Sequence, residues 1–249
     1  MADAVHPTAL VDPGARVHPA ARIGAFSIIG PAVTVGADVE IGHHCVLEGR
    51  VELAPGVKIG HGSILGGRPQ DLKFKEGTPS GVRIGAKTVV REYVTIHRAT
   101  RADGWTDVGA GCLVMAMSHI AHDCKVGDGA IIINYAGITG NVEIGEHSII
   151  VAQVGISGSC RVGRGVVLAG QVGVADHLTI GDGAVVAAQS GLARDVAPGE
   201  KVFGTPARPL IEAKRIFVLE GELPELARRL RSAERRLAQL EARLGAGGA

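Results

Sequence analysis

The stretch SHIAHDCKVG, residues 118–127, places His119, His122, Asp123 and Cys124 in close succession. His119, His122 and Cys124 are all good zinc ligands. The same stretch could instead supply an imidazole base with its carboxylate, because an adjacent Asp fixes the tautomer of a histidine and raises its basicity. A metal needs His119, His122 and Cys124 to converge on one point. A base needs only His122 and Asp123 on one accessible surface. The element that carries the stretch therefore decides the chemistry.

A six-residue repeat defines that element. From Val5, steps of six land on Val11, Val17, Ile23, Ile29, Val35, Ile41, Leu47, Leu53, Ile59 and Leu65. The register breaks over GGRPQDLKFKEGTPSGVR, residues 66–83, and resumes at Ile84, Val90 and Ile96. It breaks again over ADGWTD and runs on from Val108 to Leu192. The fourth residue after each aliphatic stop is small or branched, as at Ala21, Ser27, Val39, Cys45 and Ser148. This is the hexapeptide pattern of a parallel β-helix. Each hexad makes a short strand and a corner, and three hexads make a triangular coil. Nine to ten coils stacked about 4.8 Å apart would form a prism roughly 45 Å long. Strand alternation turns the aliphatic and small positions inward. The glycine that often follows the aliphatic residue is expected to relieve the tight corners.

The fold class expected is mainly β, with the β-helix over 1–203, a protruding insertion at 66–83 and a helical segment over 204–249. GTPARP, from residue 204, carries turn residues that end the repeat. Beyond it, Leu223, Leu226, Leu230, Ala233, Leu237, Leu240 and Leu244 form an a/d heptad seam, expected to mediate self-association.

The register separates the opening residues. Ser118, Ile120 and Cys124 point inward, as do Cys45, Cys112 and Cys160, so all four thiols are expected as core filler. His119, His122 and Asp123 point outward, and no metal site is expected. His43, His44, His61 and His147 are also outward, and a solvated role is expected for them. His122 differs from these in four respects. Asp123 follows it. Gly140 and Gly158 stack over it one and two coils away, leaving bare backbone that could admit a ligand or aim an N–H at an oxyanion. The 66–83 insertion protrudes from the prism, and long insertions tend to be functional. Residues 68–101 concentrate Arg68, Lys73, Lys75, Arg83, Lys87, Arg91, Arg98 and Arg101 against Asp71, Glu76 and Glu92, a net of about +5 suited to phosphates or an acidic carrier protein.

Composition bounds the rest. Aromatic residues make up 3% of the chain while glycine numbers 37, so the core is built from small aliphatics. A formal net charge of +1 gives no global attraction to nucleic acid. MADAVHPTAL has neither a basic nor an apolar signal region, and no apolar run reaches the roughly 18–20 residues of a membrane span. Reduced thiols in a cytoplasm are the expected setting.

HPTALVDPGA at 6–15, GGRPQDLKF at 66–74, VREYVTIHRAT at 90–100 and HIAHDC at 119–124 carry a closer likeness. With them the chain resembles the UDP-N-acetylglucosamine O-acyltransferases of lipid A biosynthesis, within the hexapeptide acyltransferase superfamily. The resemblance implies left-handed coiling and a homotrimer with active sites between neighbouring prisms. It implies no permanent cofactor; the acyl donor is the phosphopantetheine thioester of an acyl carrier protein, and the acceptor is a UDP-sugar. By this resemblance His122 is the general base, Asp123 its carboxylate, and Gly140 the oxyanion donor. Gln70, Asp71, Lys73 and His119 hold the sugar, Arg215 reaches the nucleotide phosphates, and Gly170 limits acyl length. The chain departs from the family at Asn141, where a histidine is usual, and at Ser157 and Gly158, where His-Gln is usual. These positions contact the acyl donor and the nucleotide sugar. Residues 168–209 look more like the UDP-3-O-acylglucosamine N-acyltransferases. An N-acyltransferase acting on a 3-amino or 3-O-acyl UDP-sugar, and an acetyl-CoA-dependent sugar-nucleotide N-acetyltransferase, are therefore the alternatives.

Overall fold

The computed structural model describes residues 4–246, and the side chains of residues 4–241. The first of its two units extends through Ala207. It is a left-handed parallel β-helix, as the hexads and the resemblance imply. Three parallel sheets form the faces. The first has ten strands, from Leu10–Val11 to Gly191–Leu192, and the second has nine, from Arg16–Val17 to Thr179–Ile180. The third starts at Arg22–Ile23 and reaches Lys201–Phe203. Pairing is in register, so Ile96, Ile120, Ile138, Ile156 and Val174 stack directly. These aliphatic stops are buried along the prism axis, and each buried side chain stabilises by about 1.5–3 kcal/mol relative to exposure.

The inward small position has a second duty. Ser27, Ser63 and Ser148 each donate Oγ–H to a corner carbonyl, on Gly42, Arg91 and Gly163, at 2.8 Å. The four cysteines do the same through Sγ, to Gly60, Gly127, Thr139 and Ala175, at 3.0 to 3.2 Å. They are thus more than filler: each also donates to a corner carbonyl, which helps to satisfy its hydrogen-bonding capacity. Burial raises all four thiol pKa values, that of Cys124 to about 12.

The corners correct the expectation about glycine. The left-handed backbone falls on the third residue after the aliphatic stop, as at Asp38, Tyr93, Asp123, Asn141 and His177. The glycine directly after the stop lies instead where two coils touch. A Cβ on Gly24, Gly85 or Gly145 would run into the backbone of Gly42, Gly109 or Gly163. Close approach, rather than corner strain, selects it.

The first register break is narrower than 66–83, because strands Ile64–Gly67 and Gly81–Ile84 absorb both its ends. Leu72 is fully exposed on the excursion that remains, while Phe74 is buried and the Arg98 guanidinium lies 5.3 Å from its ring centroid. The second break contains strand Trp105–Val108. The guanidinium groups of Arg50 and Arg83 lie 4.1 and 3.7 Å from the Trp105 ring centroid.

The second unit begins at Arg208 rather than at 204, and its helix spans Leu210–Ala246. Pro224 sits within it. Of the heptad seam, Leu223, Leu226, Leu230, Ala233, Leu237 and Leu240 are exposed. The Leu244 side chain lies outside the described residues.

Cys124→Ala should cost about 1–2 kcal/mol, from a small cavity and an unpaired Thr139 carbonyl. Cys124→Ser should cost less, because serine already makes the equivalent bond in other coils. Urea unfolding of both variants measures the difference, and equal losses would show that the sulfur bond contributes nothing.

Candidate active site

His122 and Asp123 occupy the corner after strand His119–Ile120. His122 Nδ1 lies 2.9 Å from Asp123 Oδ2. The same oxygen accepts the Thr100 backbone N–H at 3.0 Å and the Thr100 hydroxyl at 2.6 Å. Arg101 Nε lies 3.5 Å from Oδ1. The outward placement expected of Asp123 is corrected here: its side chain is 1% exposed, whereas the His122 side chain is 12% exposed. The excursion after His97 covers the carboxylate. Burial by itself would raise the Asp123 carboxyl, but the hydrogen bonds from His122 and Thr100 outweigh it and hold the group at about 2. Asp123 is thus a carboxylate at any ordinary pH. Its place on Nδ1 favours a proton on that nitrogen and leaves Nε2, which has no hydrogen-bond partner among the described residues, free to accept one.

Gly140 lies one coil further on. A Cβ there would collide with Cε1 and Nε2 of the His122 ring. The bare backbone expected to admit a ligand therefore already receives the imidazole. Among the described residues the Gly140 N–H has no acceptor, for a physical reason. At four corners the N–H at the equivalent position donates to a side chain one coil later: Ala25 to His43 Nδ1, His43 to His61 Nδ1, Ala110 to Asp128 and Arg164 to Asp182. One coil beyond Gly140 stands Gly158, which has no side chain to accept. His43 and His61 are correspondingly not mere solvated histidines, since each caps a corner N–H and their rings stack at 4.8 Å.

His119 is half-buried on the strand, and its Nδ1 lies 2.7 Å from Thr95 Oγ1. His97, which the opening motif does not contain, meets the His119 ring edge-on with centroids 4.8 Å apart. Its Nδ1 is buried without a partner. Burial first, then the nearby His119, His122 and Arg98, lower the His97 pKa to about 4. Burial and His122 also lower His119. The sequence holds a signal for His97: the second register break lengthens one coil, so Ile96 pairs with Ile120 and His97 lies beside His119 despite the distance in sequence. Thr100 stands four after Ile96, where the period alone places a core residue and not a partner for Asp123.

Below His119 the outward column of the first sheet is Gly137, Gly155 and Gly173. With Thr139, Ser157 and Ala175 these glycines line an open groove of about 540 Å³. Gly158, half-buried, follows Ser157 at its edge. Asn141 is an exposed corner residue whose N–H donates to the His122 carbonyl at 3.0 Å. The remaining expected site residues are not gathered here. Gly170 lies on the corner between the third and first sheets, whereas His122 lies on that between the first and second. Gln70, Asp71 and Lys73 stand on the protruding excursion, where Asp71 Oδ1 accepts the Lys73 N–H at 2.8 Å. Among the described residues no hydrogen bond or ion pair joins them to the histidine cluster. Arg215 is exposed on the helix of the second unit. Part of the basic segment is internally paired, Arg68 with Glu76, Arg83 with Glu52 and Arg91 with Glu92. Among the described residues no three or more His, Cys, Asp or Glu side chains are placed to share a metal ion. No described helix is long and apolar enough to cross a membrane.

A family model described as bacterial transferase hexapeptide (six repeats) matches residues 14–49. The acyl-(acyl-carrier-protein)–UDP-N-acetylglucosamine O-acyltransferase of Thermodesulfovibrio yellowstonii is 39% identical over 123 residues, 49% of this chain and 47% of that protein. The chain thus spans about half the length of the curated relatives it matches. Among solved structures, the UDP-N-acetylglucosamine O-acyltransferase of Moraxella catarrhalis superposes with a TM-score of 0.70 at 32% identity, covering 83% of this chain and 73% of that one. The structure from Acinetobacter baumannii gives the same score and identity, covering 86% and 77%.

The histidine cluster makes stability pH-dependent in a definite direction. In the unfolded chain His97 takes up a proton near pH 6.5, but in the folded protein only near 4. Between those values the unfolded state binds more protons, so stability should fall as pH is lowered through that window, with His119 adding in the same sense. The stability contributed by Asp123 should be lost only lower, between about pH 4 and 2. Thermal unfolding from pH 7 to 4 should show the first loss, and His97→Phe should flatten it. An unchanged slope in that variant would place the proton uptake elsewhere.

Proposed function

Since the chain belongs to the UDP-N-acetylglucosamine O-acyltransferase family, we propose that it moves an acyl chain from acyl carrier protein to the 3-hydroxyl of UDP-N-acetylglucosamine or a close UDP-sugar, the first step of lipid A biosynthesis. The observation that carries the reading is the His122–Asp123 pair, with its ring seated on the Gly140 backbone beside a free N–H. Asp123 holds the proton on His122 Nδ1. Nε2 takes the proton of the sugar hydroxyl as that oxygen attacks the thioester carbonyl. The new C–O bond places negative charge on the former carbonyl oxygen, and the Gly140 N–H donates to it. Collapse breaks the C–S bond, and His122 returns its proton to the phosphopantetheine thiolate. The base cycles within one turnover, and no resident cofactor is needed.

His119, fixed through Thr95, and Gln70, Asp71 and Lys73 on the excursion are the sugar contacts in this proposal. Arg215 takes the nucleotide phosphates, and Asn141, Ser157 and Gly158 line the way to the donor. Gly170 sets acyl length. Within one chain Gly170 and His122 occupy different prism edges, and among the described residues Gln70, Asp71 and Lys73 make no bond to the histidines. A homotrimer, in which neighbouring prisms complete each site, accounts for both facts. The exposed heptad face of the helix supports the same assembly. Four free, buried cysteines suit a reducing cytoplasm.

Mass spectrometry of the product decides the reaction, with acyl carrier proteins of several chain lengths and both 3-hydroxy and 3-amino UDP-sugars offered. An ester on the hydroxy sugar is expected. An amide alone would favour the N-acyltransferase reading, and transfer only from acetyl-CoA would overturn both. His122→Ala should lower kcat at least about a hundredfold while light scattering still reports a trimer. Retained activity in that variant would remove His122 from the mechanism. EDTA should leave the rate unchanged, and inhibition reversed by zinc would restore the metal reading of His119, His122 and Cys124.

A further inference from the structure

We infer that Thr100 is a positioning residue for the His122–Asp123 pair, and that the second break in the repeat exists to deliver it. The inference rests on His122 being the base. In the regular corners, the N–H of the third residue after the aliphatic stop donates to a backbone carbonyl one coil back. Tyr93 donates to His61, Met117 to Glu92, Tyr135 to Ala116, Asn141 to His122 and His147 to Asp128. Asp123 departs from this pattern. Its N–H donates to the Thr106 hydroxyl at 2.9 Å, within the second break. The chain that leaves the prism after His97 and returns at Trp105 has removed the usual carbonyl and substituted a buried hydroxyl. Asp123 keeps the left-handed corner backbone, with φ of 59°.

The same excursion places Thr100 over the carboxylate. Its N–H and Oγ1 both reach Oδ2, the oxygen that also faces His122 Nδ1. Three donors on one oxygen fix the carboxylate rotamer, and the bond from the hydroxyl is the shortest of them. With Oδ2 so held, the Nδ1–H tautomer of His122 is selected and Nε2 is left to accept a proton. Thr100 touches neither substrate nor the reacting atoms in this scheme. Its effect runs through Asp123.

Thr100→Val retains the shape and the backbone N–H and removes only the O–H. It should lower kcat about tenfold, the worth of one hydrogen bond to a charged group, while KM for the UDP-sugar stays within about twofold. Thr100→Ser should recover most of the loss. Nitrogen-15 NMR of the His122 ring in the unliganded protein reads the proposed cause. A single Nδ1–H tautomer is expected in the wild type and in Thr100→Ser, and a mixture of tautomers in Thr100→Val. A purely structural threonine would lower the melting temperature and leave the tautomer untouched, which would overturn the inference. So would Val and Ser variants impaired equally. The NMR measurement needs no turnover, so it still decides the role of Thr100 if the wild type transfers no acyl group and the acyltransferase reading fails.

Discussion

In-register stacking of parallel strands is the constraint on which the rest of this structure depends. Each coil hydrogen-bonds to the next through matched positions, so every outward side chain has a defined neighbour one coil away. Chemistry is then written in columns. His122 stands over Gly140, and Gly140 over Gly158, so one ring has a seat and one N–H has no acceptor among the described residues. Where a side chain follows in the same column, as Asp128 follows Ala110 or Asp182 follows Arg164, the N–H is capped and inert. The absence of side chains at two consecutive levels is therefore as much part of the site as the histidine.

A prism of identical coils presents flat faces and cannot bury a carboxylate near its surface. The second break in the repeat overcomes this. It lengthens one coil, lifts Thr100 and Arg101 across the edge, and shields Asp123 from water. Taking a charge out of water is costly, and the cost is offset here by three hydrogen bonds to Oδ2. The outcome is a carboxylate with a strongly lowered pKa despite its burial. The neighbouring histidines move the other way: burial lowers both His97 and His119.

The core obeys a second rule that filling space alone would not impose. At several corners an inward Ser or Cys one coil back donates to a corner carbonyl, whereas Ala or Val fills the same position at others. The position must be small to fit the three strands of a coil around the axis, and both hydrogen-bond donors and small aliphatic groups occupy it. This explains why unreactive thiols occur at four places in a chain with no disulfide.

Much of this was legible in the amino-acid order. A period of six specifies which residues face the axis, because strand alternation and closure of a three-sided coil leave no freedom in their direction. It separated Cys124 from His119 and His122, and it stacked Gly140 on His122. Three things lay beyond it. Asp123 reads as outward by register yet is buried, because an aperiodic excursion covers it. Thr100 stands four after Ile96, where the period places an inward residue, yet it reaches Asp123 because the chain has already left the prism. His97 contacts His119 only because one coil is longer than the others. Periodicity determines orientation within a coil, whereas the breaks in periodicity determine what lies across its edges, and only the folded chain shows where those breaks lead.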